Sequence, residues 1–511
     1  MKNSLLYIGV LLLLSLVGCA PKTEYTHALP KDASLVVALD VQTIAQKSGL
    51  EGKNSEIITS KLTELLKGGL EGEAALMAEK IVNEPSESGL DFGEKVYLFA
   101  TPHANVIGAL CKVSAESRIE KWVDALVKEG ICTPLKEESG CQWTQMGKML
   151  CAFNNGTFLL LSHKSGDVES IQGTLLSLMR QKEGEGYAAM PEFVQLKETG
   201  NDVASTLDLS ILPDRMTTPL RMGLTADIRL QDIKYLMTVN FEQGKVMMQA
   251  TSLTQNPKVQ SFFKQMDAVT STIQGKYMEY FPGNTLAWTG GRIQGKAFYE
   301  MICQNPTIRQ IMRNPILPVD MERIFSAIEG DYGMGYLSAA IDEFLVYGDI
   351  TNVDFLETFE DLRPLLAMTG GEVKLHDTAE NQYALQTYDA VYWFGVKKNF
   401  FYVTNRRELA EEAGRTYGAS VGARPWAAEA KNNRLCATMN LAKLRTDINE
   451  YPYLLVQLGN KQAIAVFKSL MDEYDSVNVY MPDWTQIRME VQMKDKKSHP
   501  LKQLIQLVEN L

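Results

Sequence analysis

The chain has 511 residues, more than one compact core usually holds, so two or more domains are expected. With 45% hydrophobic, 22% charged and 9% aromatic residues, 37 glycines and 18 prolines, the composition is globular and excludes a collagen repeat or a long disordered tract. Lys and Arg number 51 against 62 Asp and Glu, a net charge of −11 without a concentrated basic patch, which argues against nucleic acid as a partner.

Residues 1–18 open with Lys2, run through an apolar stretch from Leu5 to Val17, and reach Gly18 ahead of Cys19. An apolar run of roughly 13 residues is too short to cross a bilayer of about 30 Å as a helix and fits the core of a secretory signal peptide. Leu16, Val17 and Gly18 resemble the lipobox cut by bacterial lipoprotein signal peptidases. That resemblance implies a diacylglycerol on the Cys19 thiol and acylation of its freed amine. At about 0.8 kcal/mol per buried methylene, several acyl chains make a permanent anchor. Residues 19–28 then form a polar tether. No Asp follows the cysteine directly, and only Glu24 sits near it beside Lys22. By resemblance to lipoprotein sorting rules, this implies delivery to the outer membrane, with a periplasm-facing position favoured over surface display. No later segment approaches 18 apolar residues, so no further membrane span is expected.

Beyond the tether the chain reads as one unit written twice. His27-Ala28-Leu29-Pro30 leads into the strand Ser34–Leu39, as Tyr280–Asn284 leads into Thr285–Thr289. Gly93–Phe99 is echoed by Gly333–Leu337. The amphipathic stripe Ile119, Trp122, Val123, Leu126, Val127 predicts a helix whose counterpart carries Phe355, Leu356, Phe359 and Leu362. The hairpin Leu150–Ser162 lines up with Tyr392–Thr404, and Val203–Leu209 with Leu435–Leu441. Each half closes with a strand pair and a helix after Pro257 or Pro500. Helices are predicted over Glu116–Glu129, Asp167–Gln181, Arg406–Tyr417 and Lys461–Glu473. Strands joined by tight turns are antiparallel neighbours, so the expected class is α+β: two homologous halves, each a mainly antiparallel sheet with amphipathic helices packed on it. The first repeat is expected at 29–272 and the second at 273–511, with the junction in the polar stretch Ser271–Lys276.

Apart from Cys19, six cysteines remain, without Cys-x-x-Cys or zinc-ligand spacing. Cys303 and Cys436 read as small buried hydrophobes, and so do Cys111, Cys132, Cys141 and Cys151, although these four could supply one disulfide in an oxidising compartment. The five histidines show no metal-ligand spacing, and neither a phosphate loop nor a dinucleotide fingerprint occurs, so no metal or cofactor is expected. Gly418–Gly422 matches Gly-x-Ser-x-Gly. That motif needs a strand-to-helix turn, whereas Ala423-Arg424-Pro425 reads as a loop. The aromatic run from Tyr388 to Tyr402 lacks alternation over Val391–Val396 and reads as a strand buried on both faces rather than a sugar platform. Met247, Met248, Met489 and Met493 read as gap-filling core.

The lipobox at Cys19, the opening Leu29–Asp40, the Lys47-Ser48-Gly49 that follows and the long α+β body resemble the Bacteroidota envelope lipoproteins of the domain-of-unknown-function 4836 family. The resemblance covers most of the chain and implies an envelope lipoprotein without assigned catalytic residues. The expected function is a non-enzymatic binding or assembly module, anchored by its lipid and meeting a protein or glycan partner. The alternatives are a hydrolase acting on envelope polymers or glycans and an accessory subunit of an integral outer-membrane complex. A deep pocket of converging polar side chains would favour a hydrolase. An exposed apolar patch would favour binding.

Overall fold

The computed structural model describes residues 24–49, 60, 70–101, 105–223, 228–313, 319–339, 341–368, 372–458 and 461–503. The chain parts into two compact units between Leu207 and Asp208.

The first unit contains β1 (Leu35–Leu39), β2 (Val96–Thr101), β3 (Val106–Lys112), β4 (Lys136–Glu138), β5 (Cys141–Met146), β6 (Met149–Phe153), β7 (Thr157–His163) and β8 (Val203–Asp208). Every pairing is antiparallel, in the order β8-β1-β2-β3-β7-β6-β5-β4. In β1, Val36 and Ala38 point into the core, the period-2 burial of a half-covered sheet. Asp40 ends the strand and caps the helix Val41–Ser48 by accepting from the Thr43 N–H at 2.9 Å. That helix stops where Gly49 turns left-handed, at φ 78°. One residue earlier, Lys47 pairs with the buried Asp202 at 2.7 Å. The Lys47-Ser48-Gly49 triplet is thus a helix end tied to the start of β8. The helix Glu116–Lys128 turns Ile119, Val123 and Leu126 onto Cys151 and Phe153 of β6.

The second unit holds β9 (Lys234–Glu242), β10 (Lys245–Ser252), β11 (Thr270–Ser271), β12 (Ala287–Gln294), β13 (Ile328–Ser338), β14 (Glu343–Ile350), β15 (Lys374–Ala379), β16 (Gln382–Gln386), β17 (Val391–Lys397), β18 (Phe400–Thr404), β19 (Leu435–Asn440), β20 (Tyr474–Asp483) and β21 (Gln486–Met493). Its antiparallel order is β9-β10-β21-β20-β19-β12-β13-β14-β18-β17-β16-β15, with β11 beside the end of β12. From β19 to β15 this is the neighbour order of the first unit, strand for strand. The fold is α+β and mainly antiparallel, as the turns implied. The compact units part earlier than residue 272 because β9 and β10 join the sheet at β21. There Met248 lies opposite Met489.

Two helices differ from expectation. Arg406–Tyr417 is helical only over Arg407–Glu411. Gly414, at φ 87°, then carries the chain back over the Phe400 ring, and its N–H is held by the Tyr347 hydroxyl at 3.2 Å. The stripe around Phe355 and Phe359 forms three short turns, Asp354–Leu356, Glu357–Glu360 and Arg363–Ala367. Pro364 has no N–H with which to continue the preceding turn. The other two predicted helices of the chain's first 200 residues and last 60 are found as Glu169–Arg180 and Lys461–Glu473.

The hairpin aromatics are core. Trp393, Phe400 and Tyr402 join one cluster, while Phe394, Val396 and Phe401 join another on the opposite sheet face. Tyr388, in the turn before β17, stands in solvent.

Candidate functional site

In β12, β19, β20 and β21 of the second unit, side chains alternate between two faces with opposite chemistry. One face carries Trp288, Thr438, Asn440, Ser476, Asn478, Tyr480, Arg488, Glu490 and Gln492, and the other carries Ala287, Thr289, Ala437, Met439, Val477, Val479, Met489 and Val491. Registers align these sets row by row. Thr438 faces Trp288 and Asn478, and Asn478 faces Glu490. On the reverse side, Met439 faces Val477, which faces Val491.

On the first face lies a cavity of about 410 Å³. Its inner wall is the aromatic core of Trp288 and Tyr480. Its outer wall is the loop after Ser420, where Arg424, Pro425 and Trp426 lead into the turn Ala427–Ala430. The indoles of Trp288 and Trp426 lie 5.6 Å apart. The loop is fixed by a backbone bond from the Val421 N–H to the Phe281 carbonyl at 3.0 Å and by the Arg424 side chain, whose Nε–H donates to the Gly283 carbonyl at 2.9 Å. The polar groups are ordered among themselves. Thr438 donates to the Asn478 side chain at 2.8 Å. Arg488 donates to Glu429 at 2.5 Å, lies 3.7 Å from Glu490, and stacks 4.8 Å over the Tyr480 ring. Burial pushes the Tyr480 phenol up, so it remains a neutral hydrogen-bonding group.

On the reverse face an apolar groove of about 470 Å³ is lined by Met334, Tyr336, Phe344, Met439, Val477 and Val479, among others. It lies between two covered clusters, one around Phe394 and Phe401 and one around Val246 and Met493. Met334 is 48% exposed and Met439 42%.

The residues singled out in the sequence lie elsewhere. Leu16, Val17, Gly18 and Cys19 are outside the described residues, as is His103. Cys111, Cys132, Cys141 and Cys151 are buried with free thiols, as are Cys303 and Cys436, so no disulfide joins any pair among the described residues. Cys111 is pushed up by burial to about 11 and Cys436 to about 12, far from the thiolate form a nucleophile needs. Ser420 is buried and its backbone bridges to Pro282, so it does not stand on a strand-to-helix elbow. Among the described residues no group of three His, Cys, Asp or Glu side chains gathers as metal ligands would, and no helix is long and apolar enough to cross a membrane. The two faces of this sheet, though not the cavity itself, had a signal in the sequence: Ile487-Arg488-Met489-Glu490-Val491-Gln492 alternates strictly between apolar and polar.

The chain belongs to the family described as a domain of unknown function (DUF4836), whose model matches residues 25–501. No curated protein matches the chain. Among solved structures it is similar to crystal form I of TP0453, with 10% identity over 46% of this chain and 81% of that one at a TM-score of 0.27. Crystal form III of the same protein gives 12% identity over 48% and 87% at a TM-score of 0.28. Likeness at that level says nothing of what this chain does.

Proposed function

We propose that this is an outer-membrane lipoprotein, anchored through Cys19 and facing the periplasm, whose body of two homologous halves works as a non-enzymatic binding or assembly module. The observation that carries the binding role is the apolar groove. Water-exposed Met334 and Met439 sit beside Tyr336 and Phe344 on a sheet face without a charged side chain in its lining. A contiguous apolar patch on a soluble body marks a surface that a partner covers. The polar cavity invites the hydrolase alternative, but Arg488 engages both Glu429 and Glu490. A guanidinium beside a carboxylate favours its charged form, whereas a glycosidase needs one carboxyl held protonated as the acid. The partner we favour is an envelope protein seated on the groove.

Two results test this. Cys19→Ala should release the protein from the membrane fraction; a variant that stays there rules out the lipid anchor. Crosslinking in intact cells followed by purification should recover one envelope protein, and Met439→Glu should reduce its yield at least about tenfold, since a charge buried in an apolar contact is strongly disfavoured. Equal recovery with Met439→Glu would remove the groove from the interaction.

A further inference from the structure

The cavity behind the groove has a counterpart position in the first unit, and the two are filled differently. Strand order and equal spacing from the turn contacts at Leu29 and Phe281 set the equivalence: Thr206 on β8 faces Val36 on β1, as Thr438 on β19 faces Trp288 on β12. Over each runs the same turn. Gly186–Pro191 contains the 3-10 turn Tyr187–Ala189, and the Tyr187 N–H donates to the Leu29 carbonyl at 3.0 Å. Ser420–Pro425 contains the 3-10 turn Val421–Ala423, and the Val421 N–H donates to the Phe281 carbonyl at 3.0 Å. In the first unit the Tyr187 ring fills the space, with its hydroxyl on Thr206 at 2.8 Å, and Phe193 packs behind it. In the second unit Val421 and Ala427 stand at those two places. Thr438 turns to Asn478 instead, and Val421, where the first unit has a tyrosine ring, lines the cavity. The void therefore owes part of its volume to side-chain size at the turn, and its floor to β20 and β21, which continue the sheet past β19 where the first unit ends at β8.

The lining selects a ligand class. Arg424, Arg488 and Lys496 are matched by Glu429, Asp475 and Glu490, so the site carries no charge excess for a phosphate or a carboxylate ligand. It mixes donors and acceptors, Asn478, Asn440 and Gln492 among them, as groups that both donate and accept require. It also offers indole surface, whose negative face suits the weakly positive C–H face of a pyranose ring. Its size falls in the range of small-molecule sites. We propose that the cavity between Trp426 and the β19–β21 surface is a saccharide-binding site for uncharged sugars. This rests on reading the chain as a binding protein, but not on the groove.

The test is calorimetric titration of the full chain, in a sugar-free detergent, with cellobiose and separately with N,N′-diacetylchitobiose. The first stands for a plain glycan and the second for an N-acetylated envelope glycan. Saturable binding of either supports the site, and the preferred disaccharide names the source. Val421→Tyr, which restores the filling seen in the first unit, should lower affinity at least about tenfold while the thermal midpoint holds. Trp426→Ala should lower it comparably and decides the matter if Val421→Tyr fails to fold. No saturable heat from either sugar up to about 10 mM, or binding that survives both substitutions, overturns the proposal. Groove-dependent partner recovery is read separately through Met439→Glu, so either reading can fail alone.

Discussion

Asp331→Ala should destabilise the second unit by about 3–5 kcal/mol, the cost of breaking a buried, hydrogen-bonded ion pair from one side. Asp331 is 2% exposed. Its carboxylate accepts from the backbone N–H groups of Gln274 at 3.0 Å, Gly275 at 2.8 Å and Lys276 at 3.2 Å, and from Arg292 at 3.2 Å. Its own N–H donates to Asp349 at 2.9 Å, and Asp349 in turn holds Lys276 and the Tyr277 hydroxyl, the latter at 2.7 Å. Removing the side chain strands three donors and a guanidinium at once, and donors left unmade are costlier than bonds made are favourable. Tyr277 begins the aromatic stack with Tyr347 and Phe400, so loosening the 274–276 turn also loosens the core. The measurement is the chemical-denaturation midpoint followed by tryptophan fluorescence, since Trp288 sits in that core. Asp331→Asn, which keeps one acceptor oxygen, should fall between; an unchanged midpoint for Asp331→Ala would show that the turn is held by other means.

This network shows why some of the structure was legible in the sequence and some was not. Strand and turn order were legible because period-2 burial and tight turns are local: Val36 and Ala38 in β1, or the Leu150–Ser162 hairpin, need no distant partner to be read. The polar stretch Ser271–Lys276 looked like a junction because nothing local says that Asp331, more than fifty residues on, collects its N–H groups. Arg406–Tyr417 had helical composition, but a tertiary contact between Gly414 and Phe400 ended the helix early. The cavity was least legible of all. It depends on what Val421 lacks relative to Tyr187 and on β20 and β21 lying beside β19, and neither missing volume nor a distant strand pairing has a sequence pattern of its own.

Gly335→Val should cost about 1–3 kcal/mol through overpacking, and Phe281→Leu should relieve much of it. The registers show the reason. In the first unit β1 Val36 faces Phe99, and Phe99 faces Gly108, whose missing side chain leaves room for the Phe99 ring. In the second unit β12 Trp288 faces Gly335, and Gly335 faces Leu345. Large and small have changed places across the strand pair, and the space above Gly335 is taken by Phe281, which stands where the first unit has Leu29. A Cβ on Gly335 would lie 2.5 Å from the Phe281 ring. That ring cannot retreat, because Tyr347 and Trp288 pack its edges at 5.4 and 6.5 Å. Trimming Phe281 to Leu alone leaves a void and destabilises, yet the same void receives the valine methyls. The two substitutions should therefore couple by about 1 kcal/mol or more in favour of the double variant, within the range seen for residues in contact. Thermal or denaturant midpoints of the four proteins measure it. Strict additivity would mean that the two halves do not share one volume rule at this place, and that Gly335 is small for another reason.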